Sequence, residues 1–340
     1  MSLATKYRPK HFEDVIEQET VKTTLVNQIK TGGIKNCYLF FGPAGCGKTT
    51  SARIFANDIN DGAGMITELD AASNSGVENI RKIIDDSRFK PIGQKYKVYI
   101  IDECHALSDK AWQALLLGLE EPVPTSVFIF CTTDPQKIPS TIISRVQRFG
   151  FKRITQDEIV RRLMYILDTE NAEGCDYTYT EDAIRYIAKL SEGGMRDSIT
   201  MLESAIDYSK DLTLESAVAA LGTVSYTTMF DLTDAFCAMD KRGAISVVDN
   251  IFRDGSDLKQ FIQNYCDFTL DLCKYDIYRN FDMLQIPSLY DERMKVYTDN
   301  DFAFFPTLLN EIINLKNTIK WEPSPKPIVE SKFLLLCSEG

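Results

Sequence analysis

The sequence predicts an α/β domain, with a parallel sheet and flanking helices, followed by two helical domains. In the first half, short and nearly continuous apolar runs alternate with helical patterns, as in strands that are buried on both faces of a parallel sheet. Beyond residue 153 the pattern is helical. A chain of 340 residues is long enough for two or three domains. The expected boundaries are 1–153, 154–222 and 223–340.

The strand candidates of the first domain are Cys37–Phe41, Met65–Leu69, Val98–Ile101 and Val127–Cys131. Helical periodicity fills the intervals between them, at Thr49–Ile59, Val77–Asp86 and Asp109–Leu119. This βαβα order is typical of a doubly wound α/β sheet, in which parallel strands are joined by crossover helices.

The second half reads as a series of helices. Thr155 and Glu158 have the spacing of a capping box at the start of the first one. Further helices are expected at Thr180–Leu190 and from Gly194 toward Tyr208. In the last domain, apolar residues step by three and four and predict one wide buried stripe, formed by Leu258, Phe261, Tyr265, Phe268, Leu272 and Tyr275. A proline-rich stretch, Trp321–Pro327, precedes a last short helix.

The composition is that of a globular protein in a reducing compartment. Hydrophobic residues make up 44% of the chain and charged residues 26%, with a net charge of −11. No apolar run is long enough to span a membrane, and the start lacks the apolar core of a secretory signal. The nine cysteines form no CxxC pair. We therefore expect a cytoplasmic protein without membrane contact, disulfide scaffold or structural zinc.

The segment GPAGCGKT follows the first strand candidate directly and has the pattern G-x-x-x-x-G-K-[ST]. Glycines let backbone amides curl around a phosphate, and the helix that begins at Lys48 adds its N-terminal dipole. Lys48 can reach the β and γ phosphates of ATP, and the Thr49 hydroxyl can ligate Mg²⁺. Cys46 is expected to be a tolerated small residue rather than a nucleophile. The expected nucleotide contacts are Gly42, Pro43, Ala44, Gly45, Cys46, Gly47, Lys48, Thr49 and Thr50.

Polar residues also follow the third and fourth strand candidates, Val98–Ile101 and Val127–Cys131. Asp102 is placed to hold Mg²⁺ directly or through water, and Glu103 to polarise an attacking water. Thr133 either senses the γ-phosphate or is an ordinary residue of a strand-to-turn junction. Because His11 is the only other histidine in the chain, we expect His105 to have a structural hydrogen-bonding role rather than to ligate a metal.

These residues belong to a series of motifs that follow one another in order over about the first 210 residues. Through these motifs the chain resembles the AAA+ ATPases of DNA polymerase clamp loaders, most closely the bacterial tau/gamma family. The motifs are KYRPKHFEDVIEQE (Lys6–Glu19), GPAGCGKT, ELDAASNSGVENIR (Glu68–Arg81), VYIIDECHALS (Val98–Ser108), ALLLGLEEP (Ala114–Pro122), CTTDPQKIPSTIISR (Cys131–Arg145) and EGGMRDSITMLESAI (Glu192–Ile206). The resemblance implies an AAA+ P-loop domain, a small helical lid and a helical collar.

The resemblance also implies roles for individual residues. Arg145 corresponds to an arginine finger that is presented to the ATP of a neighbouring subunit, although its position alone is also that of a surface arginine. Arg196 corresponds to the sensor-2 arginine, which reaches the γ-phosphate in cis, and Thr133 to sensor 1. The stretch that flanks the nucleotide base corresponds to Tyr7, Arg8, Pro9, Val15 and Ile16.

The chain departs from the family pattern in three places. Between Asn57 and Ile66, where the family carries a zinc module, the chain has no cysteine, so no zinc is predicted. Val146 replaces the cysteine of the usual Ser-Arg-Cys motif. A long C-terminal extension of the kind that binds polymerase and helicase does not follow, and we therefore expect a compact loader subunit of a divergent bacterium or a phage.

Two segments are basic despite the acidic total, and they are the candidate DNA contacts. Six basic and two acidic residues lie from Arg81 to Lys97, and the same balance occurs from Arg145 to Arg162. In the family, helices that follow the second and third strands face a channel that holds duplex DNA. The candidate phosphate contacts are Arg81, Lys82, Arg88 and Lys110, which are otherwise members of an ordinary solvated helix face.

The expected function is that of an ATPase motor subunit of a sliding-clamp loader, part of a DNA polymerase holoenzyme. Its expected partners are other loader subunits in a pentameric ring or spiral, the sliding clamp and primer-template DNA, in the cytoplasm of a bacterium or a phage-infected bacterium. Two alternatives stay open: another AAA+ DNA motor, such as a branch-migration or recombination-associated ATPase, and a non-hydrolysing structural subunit of the same ring.

Overall fold

The computed structural model describes residues 2–62, 65–120, 122–221, 226–281, 284–297 and 304–338. The predicted boundary at 222–223 and part of the expected zinc-free interval lie outside these residues. The chain divides into two compact units, the first made of Met1–Cys175 and Ser191–Glu203, the second of Asp176–Leu190 and Ser204–Gly340. The three-domain division stays a prediction.

Within the described residues, the first unit contains a five-stranded parallel sheet. Its strands are β1 (Cys37–Phe41), β2 (Ile66–Asp70), β3 (Lys97–Asp102), β4 (Ser126–Thr132) and β5 (Gln147–Gly150). Their order in the sheet is β2-β3-β4-β1-β5. The four predicted strands are confirmed. The sequence analysis missed β5, because this short edge strand buries Phe149 alone and lacks the apolar run of the central strands.

Helices connect and follow these strands. Their bounds are α1 (Leu3–Lys6), α2 (Glu19–Thr31), α3 (Lys48–Asp58), α4 (Val77–Ser87), α5 (Asp109–Glu120), α6 (Ser140–Ile143), α7 (Gln156–Ala172), α8 (Glu181–Leu190), α9 (Met195–Tyr208), α10 (Leu214–Leu221), α11 (Tyr226–Cys237), α12 (Lys241–Arg253), α13 (Leu258–Tyr278), α14 (Asp291–Lys295), α15 (Phe304–Ile319) and α16 (Lys326–Leu336). The helices that the sequence predicts agree with these bounds to within one or two residues.

The central strands are apolar throughout because helices cover both faces of the sheet. Tyr38 and Phe40 of β1 pack in a core with Phe55 of α3. Leu39 points to the opposite face and joins a core with Trp112 of α5 and residues of α4. The five strands are parallel, so their carboxyl ends lie at one edge of the sheet, and this edge carries the polar residues of the predicted site.

The predicted capping box at the start of α7 is wrong. Thr155 is the N-cap residue, but its side chain makes no capping hydrogen bond within the helix. Instead its hydroxyl and its amide both donate to Glu17 Oε1, at 2.6 and 3.0 Å. A carboxylate from a distant part of the chain thus takes the place of Glu158, which forms an ion pair with Arg161.

The second unit is mainly helical, with its own core. The predicted apolar stripe of α13 is confirmed, since all six of its residues are buried in a cluster with residues of α11, α12, α15 and α16. A two-stranded parallel pair, β6 (Thr178–Tyr179) and β7 (Asp211–Leu212), was not expected from the helical pattern. No helix in the described part of the chain is both long enough and apolar enough to cross a membrane.

Candidate functional site

The loop between β1 and α3 depends on its glycines. Gly42 has φ +148°, and a Cβ atom there would lie 2.4 Å from the carbonyl oxygen of Phe151. Gly47, the N-cap residue of α3, has φ +96°. A Cβ built on Gly47 meets nothing within 4 Å, so the space beside this residue is open. This backbone forms a cradle for an anion.

Lys48 projects from the first turn of α3 into this loop. Its ammonium donates to the carbonyl oxygens of Gly42 and Pro43, at 2.9 and 2.7 Å, and 6% of the residue is exposed. Within the described residues, no carboxylate forms an ion pair with it. A buried cation with neutral partners is costly, so the loop is electrostatically suited to a phosphate.

Cys46 lies inside the same loop and is buried. Its thiol donates to the Pro43 carbonyl at 2.9 Å, and burial raises the pKa of the thiol. A thiol that ionises less readily is a weaker nucleophile. The geometry is therefore that of a small packing residue, in keeping with the sequence-based expectation for Cys46.

Thr49 and Asp102 meet beside the loop. The Thr49 hydroxyl donates to Asp102 Oδ2 at 2.7 Å, and Asp102 Oδ1 accepts the amide of Glu103 at 3.0 Å. Hydroxyl and carboxylate oxygens are the ligands that Mg²⁺ prefers, so the predicted metal pair is brought together. The described residues contain no cluster of His, Cys, Asp or Glu suited to another metal, and the absence of zinc stays a prediction.

Glu103 and Thr133 are also brought together, at the ends of the adjacent strands β3 and β4. The Thr133 hydroxyl donates to Glu103 Oε2 at 3.2 Å. His105 Nδ1 lies 3.2 Å from the same oxygen and 3.1 Å from Thr132 Oγ1. Sequence reasoning assigned His105 a structural role and missed its contact with Glu103. The two-residue spacing of Glu103 and His105 was the available signal.

The segment before α9 packs on the loop between β1 and α3. The Met195 amide donates to the Gly45 carbonyl at 3.0 Å, and a Cβ on Gly45 would lie 2.9 Å from Gly194 Cα. Arg196 follows directly and is exposed. The positive charge of Arg196 also acts on Arg8. Burial lowers the pKa of the Arg8 guanidinium, and so do the charges of Arg53 and Arg196. Arg196 therefore lies near the loop.

The N-terminal segment connects α3 and α7 of the first unit. Arg8 Nε donates to Thr50 Oγ1 at 3.2 Å, in the first turn of α3. Tyr7 donates to Glu170 Oε1 at 2.6 Å, and burial and this bond together raise the pKa of Tyr7 to about 12. Sequence reasoning did not identify Glu170. Pro9 and Ile16 are half-buried in the same segment, and Val15 is buried.

The remaining predicted residues lie apart from this cluster. Arg145 follows α6, donates to the Thr141 carbonyl at 2.8 Å and lies 3.6 Å from Glu120. The candidate DNA contacts are exposed on or beside the paired helices α4 and α5: Arg81, Lys82, Arg88 and Lys110. Arg88 lies 3.9 Å from Asp85.

Two family models match the chain. Residues 63–155 match the model described as DNA polymerase III, delta subunit. Residues 212–299 match the model of DNA polymerase III subunits gamma and tau domain III. The second match lies beyond the first 210 residues, over which the motifs run, and covers much of the helical part that follows.

Curated relatives extend the likeness over nearly the whole chain. DNA polymerase III subunit tau of Bacillus subtilis is 35% identical over 97% of this chain, which spans 62% of that protein. DNA polymerase III subunit gamma of Buchnera aphidicola is 29% identical, over 99% of this chain and 98% of its own length.

A likeness in structure supports the fold. The Thermotoga maritima RuvB Holliday junction branch migration motor superposes with a TM-score of 0.52 and 20% identity, covering 68% of this chain and 79% of that one. At this identity the match concerns the fold alone. The sequence matches and the fold agree: over nearly its whole length the chain is similar to the tau and gamma subunits of DNA polymerase III, and its fold is similar to that of the RuvB motor.

Proposed function

We propose that the protein is the ATPase motor subunit of a sliding-clamp loader. The observation that carries the proposal concerns Lys48, at the N-terminus of α3. Its buried ammonium donates hydrogen bonds to two neutral carbonyls of the preceding loop. A nucleoside triphosphate supplies the negative charge that this cation lacks, and the backbone amides at the N-terminus of α3 supply further donors.

The carboxyl edge of the sheet provides the groups for hydrolysis. Thr49 and Asp102 hold Mg²⁺, which neutralises charge on the β and γ phosphates when bound. Glu103 orients and deprotonates the attacking water. Thr133 and Arg196 respond to the γ-phosphate, the first from the end of β4 and the second from the start of α9.

Arg145 acts on the ATP of a neighbouring subunit. Its guanidinium is exposed, and its ion pair with Glu120 at 3.6 Å joins two exposed side chains. Such a pair is worth about 1 kcal/mol or less, so a neighbour's phosphates can redirect Arg145 at little cost. Hydrolysis then depends on assembly with sister subunits.

The proposed partners are sister loader subunits, a sliding clamp and primer-template DNA, in the cytoplasm of a bacterium or a phage-infected bacterium. The likeness to proteins named as tau and gamma subunits of DNA polymerase III supports the first of these, and the clamp follows from the family resemblance of the motifs. For DNA, the proposal rests on exposed basic residues of α4 and α5, whose contacts with phosphates are independent of sequence.

Affinity capture from the native cells, with a slowly hydrolysed ATP analogue present, tests this function. We expect a ring-shaped sliding clamp and other AAA+ subunits to co-purify with the wild-type chain. A Lys48→Ala bait, which cannot bind the analogue, serves as the control and should lose the clamp. Recovery of junction-processing proteins without a clamp would contradict the loader function and favour the branch-migration alternative.

A further inference from the structure

The carboxylate of Glu170, near the end of α7, holds the N-terminal segment of the chain. Its Oε1 accepts the Tyr7 hydroxyl at 2.6 Å and the Lys6 ammonium at 2.7 Å. Burial by itself would raise the pKa of Glu170, but the bonds to Lys6 and Tyr7 outweigh this effect and lower it. Only 12% of the side chain is exposed, so water competes little for these bonds. Glu170 is therefore a charged acceptor that faces the N-terminal segment.

The helix α7 holds Tyr7 at its backbone as well as at its hydroxyl. Arg162 donates from Nη2 to the Tyr7 carbonyl oxygen at 2.9 Å. Arg162 precedes Glu170 by about two helical turns, so both side chains lie on one face of α7. These contacts fix the side chain and the main chain of Tyr7, and with them the position of the next residue, Arg8.

Arg8 reaches from this segment to the first turn of α3. Its Nε donates to Thr50 Oγ1 at 3.2 Å, two residues after Lys48. Within the described residues, its terminal nitrogens have no hydrogen-bond partner and no carboxylate pairs with it. Burial lowers the pKa of this guanidinium, and the charges of Arg196 and Asp102 also act on it. A half-buried cation without an anionic partner, beside the predicted phosphate and Mg²⁺ groups, is electrostatically suited to a phosphate.

We propose that Glu170 is a positioning residue for nucleotide binding, which holds Tyr7 on α7 so that the Arg8 guanidinium stays beside the phosphates. The inference rests on the proposed function, in which the loop between β1 and α3 binds ATP. A freely moving arginine has to be ordered when the nucleotide binds, and that ordering is unfavourable in free energy. Because Glu170 orders the segment in advance, the nucleotide gains the contact with Arg8 without this loss.

The direction of the effect distinguishes positioning from charge. Glu170→Ala removes a negative charge, and by charge alone this change would favour the binding of an anion. If Glu170 acts by holding Tyr7, the same change weakens binding instead. In the full chain we expect the Kd for a slowly hydrolysed ATP analogue, measured by isothermal titration, to rise roughly five-fold or more.

Three further variants isolate the bond between Glu170 and Tyr7. Glu173→Ala, the matched control, removes the second carboxylate that pairs with Lys6 and should leave the Kd within about two-fold of the wild type. Glu170→Gln keeps an oxygen that accepts the Tyr7 hydroxyl and should also stay within about two-fold. Tyr7→Phe keeps the aromatic ring, loses the hydroxyl alone and should raise the Kd about as much as Glu170→Ala does.

A double-mutant cycle tests the route through Arg8. Arg8→Ala should raise the Kd for the analogue. Adding Glu170→Ala to Arg8→Ala should raise the Kd no further, because the contact that Glu170 positions is already lost. Independent effects, in which the two fold-changes multiply, would overturn the inference.

Lys48→Ala separates failure of this inference from failure of the proposed function. If the wild-type chain does not bind the analogue, or if Lys48→Ala binds it as tightly, the proposed function is wrong and this inference with it. If Lys48→Ala loses binding while Glu170→Ala and Tyr7→Phe keep the wild-type Kd, Glu170 has no positioning role. Equal losses of affinity in Glu170→Gln and Glu170→Ala, together with a lowered melting temperature, would indicate a structural role and also overturn the inference.

Discussion

At the scale of single residues, the environment of Lys48 differs from that of a residue in the hydrophobic core. Lysine is almost never fully buried unless it is paired, yet Lys48 is buried with carbonyl partners. Folding alone gains little from this arrangement, because removing an ammonium from water is unfavourable. We therefore propose that the phosphates of a bound nucleotide account for the position of Lys48.

Lys48→Ala should abolish ATP binding, because the phosphates lose a buried cation. Since the ammonium contributes little to folding, the free energy of unfolding should fall by less than about 1 kcal/mol. Isothermal titration with an ATP analogue and urea denaturation measure the two effects. Lys30→Ala, an exposed lysine of α2, is the control and should bind ATP as the wild type does. Retained binding by Lys48→Ala would contradict the phosphate site.

Gly42→Ala should destabilise the protein by more than about 2 kcal/mol, because the added Cβ would lie 2.4 Å from a backbone oxygen of Phe151. Gly93→Ala is the matched control. It also has a positive φ, of +75°, but its Cβ meets nothing within 4 Å, so only the conformational cost of about 1 kcal/mol applies. Equal losses of stability on urea denaturation would show that the approach to Phe151 does not matter.

At the scale of elements, the start of α7 shows a tertiary contact taking the place of the capping box that the local sequence predicts. Thr155 and Glu158 have the right spacing for a capping box, but the Thr155 amide and hydroxyl both bond to Glu17. Glu17 is an ionised acceptor, which makes a stronger hydrogen bond than a neutral group. The start of α7 is thereby tied to the N-terminal segment of the same unit.

Glu17→Ala should cost about 0.5–1.5 kcal/mol of stability, because the exposed amide and hydroxyl of Thr155 lose a shared acceptor that water replaces in part. Glu158→Ala should cost less than about 1 kcal/mol, since it pairs with the exposed Arg161 at 2.7 Å. Chemical denaturation of the two variants compares them directly. A larger loss of stability in Glu158→Ala than in Glu17→Ala would support the capping box instead.

At the scale of the whole molecule, Arg145→Ala should leave ATP binding intact and impair hydrolysis in the assembled complex alone. The reason is that Arg145 bonds Thr141 and pairs with Glu120 rather than with the phosphate loop of its own chain. ATP titration of the isolated chain and turnover of the complex give the two readouts. Arg161→Ala, on the exposed face of α7, is the control. Normal ATP turnover by an assembled Arg145→Ala complex would contradict the proposal that Arg145 acts on the ATP of a neighbouring subunit.

A double variant, Arg81→Ala with Lys82→Ala, should weaken DNA binding. The salt slope of the binding constant should fall by about one for each DNA phosphate that is no longer neutralised. Both residues are exposed on α4. Lys241→Ala with Arg242→Ala, two exposed basic residues at the start of α12, removes the same charge elsewhere. Fluorescence anisotropy at several salt concentrations compares them, and equal effects of the two double variants would indicate a charge effect without a DNA-binding face.

The sequence by itself determined the central sheet, the phosphate loop and the acidic strand end. Buried parallel strands need continuous apolar runs, and a phosphate loop needs glycines at fixed spacing, so both leave local signals. The apolar stripe of α13 was visible for the same reason, because a buried helix face repeats every three to four residues.

The tertiary structure alone decided which distant groups meet. Thr155 pairs with Glu17 rather than Glu158, and β5 joins the sheet through its pairing with β1, although Phe149 is its only buried residue. Likewise, Glu103 accepts a hydrogen bond from the Thr133 hydroxyl of the neighbouring strand, and His105 bonds Thr132 after a backbone turn at Glu103. Such contacts join residues that are far apart in the chain, and their energies depend on geometry that no local pattern encodes.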